Sequence, residues 1–224
     1  MKKKLIAFCA MLSVILMSTS VANALVTLEP DDFAAGTDIS NAFWGVTLSS
    51  RGSGWNMPSS DKPIGRIIAV DPPSLGGSNG FTPSTGNRAF GTDDGDYPHL
   101  FAGKDTLLFR ADFTSALATV VKLDFIGNDV FGNGDIGELA AYDAGGNLLT
   151  SAMSSLLQAD EWETVTVSWV TGIAYIEAYG NTGNTMDTIG IDRMQWEAIP
   201  APGAILLGSL GVGLVGWLRR RRTL

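Results

Sequence analysis

Apolar and polar residues alternate along many short stretches of the chain, which is the pattern of half-buried β-strands. In 118–126, apolar Val121, Leu123 and Phe125 alternate with polar residues, and 162–170 repeats the pattern. Turn-forming glycine, proline, asparagine and aspartate separate these stretches. Further short strands are predicted at 45–50, 67–70, 106–113, 173–178 and 189–196, with a weaker element at 88–90.

A hairpin is predicted where strands at 138–142 and 148–152 flank Asp143-Ala-Gly-Gly-Asn147. The glycine pair supplies the positive φ angles that a tight turn needs. No long amphipathic helix is visible, and the predicted strands number eight or nine. The sequence therefore predicts an all-β fold, a two-sheet β-sandwich of jelly-roll type.

The first 24 residues have the features of an export signal. Lys2, Lys3 and Lys4 precede the apolar stretch 5–17, and Ala22-Asn23-Ala24 is a small-residue cleavage site. The mature chain is therefore predicted to start at Leu25. Cys9 lies inside the apolar stretch, where it is interpreted as a small apolar residue and not as a lipid attachment site.

The last 26 residues form a second targeting segment, with Ile199-Pro-Ala-Pro-Gly203 followed by the apolar run 204–218. Fifteen helical residues span roughly 22 Å, which is less than the hydrocarbon core of about 30 Å. The run is therefore a marginal membrane anchor. The residues after it are predicted to stay in the cytoplasm. They are Arg219, Arg220, Arg221 and Arg222.

This tail resembles the sorting domain of PEP-CTERM proteins. Pro200 and Pro202 match the two motif prolines, whereas Ala201 stands where the family usually has glutamate. The resemblance implies cleavage by an exosortase in an exopolysaccharide-producing Gram-negative bacterium. The alternative is a membrane anchor that is never cut. The predicted organisation is a signal peptide at 1–24, an exported domain at 25–198 and a sorting tail at 199–224.

The exported domain is strongly acidic. It contains all 23 acidic residues of the chain but only eight of the 15 basic ones, which gives a net charge of −15. This charge argues against nucleic acid as a partner, because phosphate binding needs basic patches. The domain has no cysteine, so its fold depends on a hydrophobic core and not on disulfides.

The sequence gives little support for catalysis, and no catalytic residue is assigned. His99 is the one histidine, and no nucleophile motif accompanies it. Asp160, Glu161 and Glu163 surround Trp162 and could in principle hydrolyse a glycoside. A charged turn before a strand is the preferred interpretation of these residues.

The domain is also similar to jelly-roll carbohydrate-binding modules. The similarity rests on Gly36-Thr-Asp-Ile-Ser40, Gly45-Val-Thr-Leu48, the hairpin 141–148 and Ile191-Asp-Arg-Met-Gln-Trp196. It implies glycan binding and a structural Ca²⁺ near the two ends of the domain. The predicted ligands are Glu29, Asp31, Asp32 and Asp192.

Two further acidic clusters are possible calcium sites but are interpreted as turn formers, and the one at 128–138 does not match the EF-hand pattern. One contains Asp93, Asp94 and Asp96, and the other contains Asn128, Asp129, Asn133, Asp135 and Glu138.

Loop aromatics are the predicted glycan contacts, because aromatic rings stack on sugars. Trp55, Trp44 and Tyr97 are the candidates, whereas Phe113, Phe125 and Trp169 are predicted to be core residues. The sequence thus favours a non-enzymatic cell-surface or extracellular-matrix protein associated with exopolysaccharide or with matrix proteins. The alternative is a specific lectin-like module, and a polysaccharide-active enzyme ranks third.

Overall fold

The computed structural model describes residues 25–52, 63–72, 81–93, 98–99, 101, 107–128, 134–181, 188–198 and 211. Leu25–Ile199 forms one compact unit. The predicted cleavage site at Ala22 and Ala24, the sorting motif and the arginine cluster lie outside the described residues. Among the residues described, there is no helix with the length and apolar character needed to span a bilayer.

The described chain is all-β, apart from one 3-10 turn at Pro30–Asp32. Every paired set of strands is antiparallel. The strands are β1 (Leu25–Leu28), β2 (Val46–Arg51), β3 (Pro63–Val70), β4 (Ala89–Asp93), β5 (Pro98–His99), β6 (Leu108–Phe113), β7 (Ala118–Gly127), β8 (Gly137–Tyr142), β9 (Leu148–Met153), β10 (Trp162–Ile173), β11 (Tyr175–Gly180) and β12 (Ile189–Ala198).

The strands form one nearly closed sheet that folds over a shared core. Their order is β10-β7-β12-β4-β3-β2-β6-β11-β8-β9, with β1 paired to β12 and β5 paired to β4. We call β10-β7-β12-β4 the first sheet and β2-β6-β11-β8-β9 the second sheet. Strand β3 connects them because it pairs with both β4 and β2. This arrangement confirms the predicted all-β sandwich.

Alternate residues of both sheets enter the core, as period-two strands require. Phe109 on β6 packs against Phe90 and Phe101 with ring centroids 5.2 and 5.5 Å apart. Leu123 and Phe125 from β7 are fully buried in the same core. The residues between these positions point to the outer faces of the sheets, and both candidate sites lie on those outer faces.

Most predicted strands are present, with ends shifted by a few residues. The hairpin is confirmed as β8 and β9, and its turn depends on Gly146 at φ +82°. The sequence analysis missed β1 and β5. Leu25–Leu28 forms a strand because it pairs with Met194 to Glu197 at the far end of the domain. Because this partner is distant in sequence, the local pattern of apolar and polar residues does not predict the strand.

The prediction that Trp169 is a core residue is wrong. It has the same strand parity as Val165 and Val167, which are buried, but its own exposure is 38%. The β10–β7 ladder breaks after Ser168 and resumes at Ile173. Four residues of β10 therefore face one residue of β7, and the bulge carries Trp169 out of the core.

Candidate functional site

The first candidate site lies on the outer face of the first sheet, beneath the segment 81–88. Asp124 on β7 and Asp192 on β12 are paired directly in the ladder and project from this face. Phe81 packs with Ile126 at one end of the segment. The covering segment removes both carboxylates from water, with exposures of 1% and 0%.

Hydroxyl and amide donors from the covering segment bind these carboxylates. The Ser84 hydroxyl lies 2.7 Å from Asp124 Oδ2 and 2.9 Å from Asp192 Oδ2. The Thr85 backbone N–H donates to Asp192 Oδ2 at 2.9 Å. The Thr85 hydroxyl lies 2.8 Å from Glu29 Oε2 and 3.1 Å from Asp192 Oδ2. Since a hydroxyl has one proton, each can serve only one of its two carboxylates at a time.

From the strand side, two further donors hold Asp124. The Thr164 hydroxyl donates to Oδ1 at 2.6 Å, and Arg193 forms an ion pair with Oδ2 at 2.9 Å. We call Glu29, Asp124, Asp192, Ser84 and Thr85 the carboxylate cluster. It has three carboxylates but takes only one ion pair, with Arg193, from the described residues. The cluster therefore has an excess of negative charge in a buried place.

Two buried oxygen atoms near the cluster have no hydrogen-bond partner. They are Asp192 Oδ1 and Asp31 Oδ2. Burial raises the pKa of Asp192, against hydrogen bonds from Thr85, Ser84 and the Arg193 backbone. Burial also raises the pKa of Glu29, which the Thr85 hydrogen bond opposes and the charge of Asp192 reinforces. Both carboxylates are thus poorly compensated in their ionised forms.

The predicted calcium ligands are only partly brought together. Glu29 and Asp192 share Thr85, and Asp31 accepts from the Asn87 backbone N–H at 2.8 Å. Asp32 is exposed and lies outside the cluster. Within the described part of the chain, no three His, Cys, Asp or Glu side chains are grouped to hold a metal ion. The oxygen-rich donor set and the two orphan oxygens nevertheless suit a hard cation.

The other acidic clusters have structural partners where they are described. Asp93 pairs with Arg66 at 2.5 Å. Asp135 accepts from the Asn128 backbone N–H at 2.7 Å and holds the approach to β8. Their predicted companions Asp94, Asp96, Asp129 and Asn133 lie outside the described residues.

The carboxylates around Trp162 also organise turns. Asp160 accepts from the Thr82 backbone N–H at 2.6 Å, and Glu161 accepts from the Gln158 backbone N–H at 2.9 Å. The Ser155 hydroxyl and backbone N–H donate to Glu163, and these hydrogen bonds lower its pKa. This geometry fits the interpretation as a charged turn.

The second candidate site lies on the outer face of the second sheet. Its residues come from β6, β11 and β8, whose registers place them side by side. We call this set the tyrosine–arginine face. It comprises Arg110, Asp112, Glu138, Tyr142, Tyr175, Glu177 and Tyr179.

Arg110 is the centre of this face. Its guanidinium binds both oxygens of Asp112, with a shortest distance of 2.6 Å, and reaches Glu177 at 3.3 Å. It also lies over the Tyr175 ring, 3.5 Å from the centroid. Burial lowers the pKa of Arg110, but the hydrogen bonds and charge of Asp112 outweigh this effect and the pKa rises. Arg110 is therefore always charged and firmly oriented.

Tyrosines extend the same network across the sheet. Tyr142 stacks on Tyr175, with centroids 4.8 Å apart and rings 10° from parallel. Tyr142 is hydrogen-bonded to Glu177, and Tyr179 is hydrogen-bonded to Glu138. Burial, followed by these glutamate charges, raises the pKa of both tyrosines well above the usual range. Their hydroxyls therefore remain protonated donors at physiological pH.

Only one of the three loop aromatics predicted to contact a glycan lies within the described residues. Trp44 is 91% exposed, so its ring is available to a ligand. Trp55 and Tyr97 lie outside the described residues. Sequence reasoning did not single out Arg110 or Glu177. The available signal was the polar residue at every second position in β6 and β11, between buried Phe109, Ala111, Ile176 and Ala178.

Neither a protein-family model nor a curated protein matches the sequence. Several solved structures have a similar course of the chain. One is the K2 cleaved adhesin domain of Lys-gingipain, with 15% identity and a TM-score of 0.45 over 77% of this chain and 99% of that chain. Another is TmCBM61 in complex with β-1,4-galactotriose, with 16% identity and a TM-score of 0.37 over 70% and 90%.

A third is the CBM22-1 xylan-binding domain from Paenibacillus barcinonensis Xyn10C. It has 8% identity and a TM-score of 0.42, with coverage of 80% of this chain and 97% of that domain. These similarities concern the general arrangement of strands.

Proposed function

We propose that this protein is an exported, non-enzymatic glycan-binding component of the cell surface or extracellular matrix, and that the tyrosine–arginine face holds the glycan. The observation that carries the proposal is the preformed Arg110–Asp112–Glu177 network on a sheet face. Charged and aromatic groups that are partly buried and fixed on strands are suited to bind a ligand with little loss of side-chain entropy.

The chemistry of the face suits a sugar. Carboxylates accept hydrogen bonds from sugar hydroxyls, and the remaining N–H groups of the guanidinium can donate to ring and hydroxyl oxygens. The tyrosine hydroxyls already donate to Glu177 and Glu138, so their oxygens can accept from sugar hydroxyls. Asp112, Glu138 and Glu177 outnumber Arg110, so a uronate or a sulfated sugar would meet like charges. The proposed ligand is therefore a neutral glycan.

Stacking contributes less than the aromatic content suggests. Arg110 covers the Tyr175 ring, and Tyr142 stacks on that ring from the neighbouring strand. The Tyr175 ring is thus already used within the protein. Recognition on this face depends mainly on hydrogen bonds, and the exposed edge of the network is the contact surface.

The test is binding of the exported protein to the host's exopolysaccharide and to a panel of neutral and acidic glycans. Glu177→Gln and Tyr142→Phe each remove one polar function from the face and nearly keep its shape. Thr166→Ala is the control, because Thr166 is exposed on β10 in the first sheet. We expect saturable binding of a neutral glycan that both face variants weaken and the control retains.

Other outcomes would decide between the remaining roles. Absence of saturable binding to every glycan would overturn the proposal and favour a matrix protein that contacts other proteins. Release of oligosaccharides, lost in Glu177→Gln or Glu138→Gln, would instead identify an enzyme.

The carboxylate cluster supports a second proposal, a structural Ca²⁺ at the ends of the domain. Asp192 and Glu29 would supply carboxylate oxygens, and the orphan Asp192 Oδ1 gives the specific reason. Ca²⁺ would offset the excess negative charge and hold β1 and the segment 81–88 against β12. We also propose that the protein is exported through the inner membrane and that an exosortase processes its tail at Pro200-Ala201-Pro202.

A further inference from the structure

Both ends of the exported domain emerge at the same end of the sandwich. Leu25 on β1 is paired with Glu197 on β12, only one residue before β12 ends at Ala198. Ala198 is in turn paired with Ala118, the first residue of β7. The predicted signal peptide and the predicted sorting tail therefore both join the domain here.

The same end displays large apolar side chains to solvent. Trp44 precedes β2 and lies next to the β6–β7 loop, because the Thr114 backbone N–H donates to the Gly45 carbonyl at 2.9 Å. Leu117, in that loop, is 38% exposed. Val170, in the β10 bulge beside the start of β7, is 91% exposed. We call Leu25, Trp44, Leu117, Trp169 and Val170 the apolar end.

The apolar end is built by specific local geometry. The bulge brings Trp169 and Val170 out of the β10 ladder, where strand parity alone would bury Trp169. Gly45, at φ +88°, has no room for a side chain, since a Cβ there would lie 2.2 Å from Ser115 Oγ. Exposed apolar groups gathered around one end, and presented by two such features, suggest a binding surface.

The length of the linker between the domain and the apolar run limits which surfaces the apolar end can contact. Five residues, 199–203, separate Ala198 from the apolar run 204–218. Even fully extended, this linker spans only about 20 Å. When the apolar run is in the bilayer, the apolar end must therefore lie close to the lipid headgroups. Tryptophan is enriched in this interfacial region because its ring is partly apolar and partly polar.

We propose that the apolar end contacts the outer surface of the lipid bilayer that holds the protein's own C-terminal segment, before that segment is cut. This inference rests on the exosortase processing in the proposed function, which requires the tail to be held in the membrane before it is cut, and it does not depend on glycan binding. Seating by this end would leave the tyrosine–arginine face on the side of the domain, where it is open to a polysaccharide.

The contact is apolar in character. None of the five side chains of the apolar end is basic, and Arg110 on β6 is bound by Asp112 and Glu177. The proposal therefore requires neutral lipid only, and an anionic lipid should add nothing.

The experiment uses the full chain in nanodiscs of phosphatidylcholine, with or without bromine atoms on the acyl chains. Trp217→Phe is the background, because Trp217 lies in the tail itself. Bromine quenches tryptophan within contact distance. We expect clear quenching that Trp44→Phe/Trp169→Phe largely removes. Trp162→Phe is the matched control, since Trp162 is half exposed on the same strand as Trp169 but at its opposite end.

Several results would overturn the inference. Equal loss of quenching in the double variant and the control would show that the domain has no preferred surface for contact with the bilayer. Failure of the chain to float with liposomes would remove the anchor, and with it the proposal, but would leave glycan binding untouched. Loss of glycan affinity in Trp44→Ala, without any quenching of Trp44, would assign this residue to the glycan site instead.

A second measurement does not use the double variant, so it tests the inference even if that variant misfolds. Cys9 is the one cysteine of the chain, so in a Cys9→Ser background a nitroxide can be attached at Val170→Cys or, as the control, at Thr166→Cys on the same strand. Power-saturation spectroscopy should place the Val170 label in the lipid interface and the Thr166 label in water. Equal water exposure of the two labels would contradict the proposed seating.

Discussion

Asp124 and Asp192 lie opposite each other on β7 and β12, almost completely buried, and the Ser84 hydroxyl is within hydrogen-bond distance of both. Like charges on paired positions destabilise a sheet. The fold tolerates the pair because the covering segment and Arg193 supply donors. Asp192 Oδ1 is still left without one. The first three predictions follow from this relationship.

Calcium should raise the thermal unfolding temperature, because a ligand that binds only the native state stabilises it. Asp192→Asn should abolish this dependence, and a chelator should lower the unfolding temperature of the wild type only. Asp32→Asn is the matched control, since Asp32 lies outside the cluster. The measurement is a calorimetric scan with and without calcium. An identical wild-type transition under both conditions would argue against the metal.

The stability contributed by Asp192 should fall as pH rises. Its folded pKa is raised above the usual 3.8, so the native state holds the proton more tightly than the unfolded state. The contribution is therefore complete below pH 3.8 and is lost as pH rises through the folded pKa. Urea unfolding in chelator between about pH 3.5 and pH 7, the range over which such groups titrate, should show the wild type losing stability relative to Asp192→Asn.

Asp143 serves as a control, because its pKa is shifted in the opposite direction to that of Asp192. Hydrogen bonds from the side chain and backbone of Asn147 lower its pKa, so its contribution is present above the usual 3.8 and is lost as pH falls through the folded pKa. The wild type should therefore gain stability relative to Asp143→Asn as pH rises. Equal slopes for the two comparisons would show that burial of Asp192 has no effect on its titration.

Thr164→Val should destabilise the domain by about 1.5–3 kcal/mol, because it removes a hydrogen bond to the buried, charged Asp124. Thr166→Val changes the same residue type on the same strand but on an exposed position, so it should have little effect. Chemical denaturation of both variants measures the difference. Equal stabilities would mean that the Thr164 hydroxyl contributes nothing to holding Asp124.

Arg110→Lys should reduce glycan affinity about tenfold or more, equivalent to about 1.4 kcal/mol. Lysine cannot form the two-pronged contact with Asp112 or lie flat on Tyr175. Arg66→Lys is the control, because its ion pair with Asp93 is mostly exposed and worth little. Titration calorimetry with the best glycan of the panel compares the two. Unchanged affinity in Arg110→Lys would place the glycan elsewhere.

The sorting tail is tested by mass spectrometry of the surface protein. We expect a mature C-terminus near Pro200-Ala201-Pro202, without the segment that contains Arg219 to Arg222. Ala201→Glu, which restores the residue usual in PEP-CTERM proteins, should increase the processed fraction, and Ala201→Gln controls for size. An intact arginine-rich tail on the surface protein would contradict exosortase processing.

The sequence by itself determined the strands whose two faces have different environments. Val121, Leu123 and Phe125 alternate with polar residues because one face of β7 meets the core, and the 143–147 turn is local enough to fix the hairpin. Such signals extend over a few residues. They predict that a strand exists and which side of it is buried, but not which strand lies beside it.

Only the tertiary structure decided which polar residues meet. Ser84 reaches Asp192 across 108 residues of sequence, and Arg110 reaches Glu177 across 67. The first contact arises because the segment 81–88 covers the first sheet, and the second because β11 pairs with β6. The period-two pattern encodes neither. The same holds for Trp169, whose parity predicts burial. A register shift against β7 exposes it, because four residues of β10 must fit opposite one.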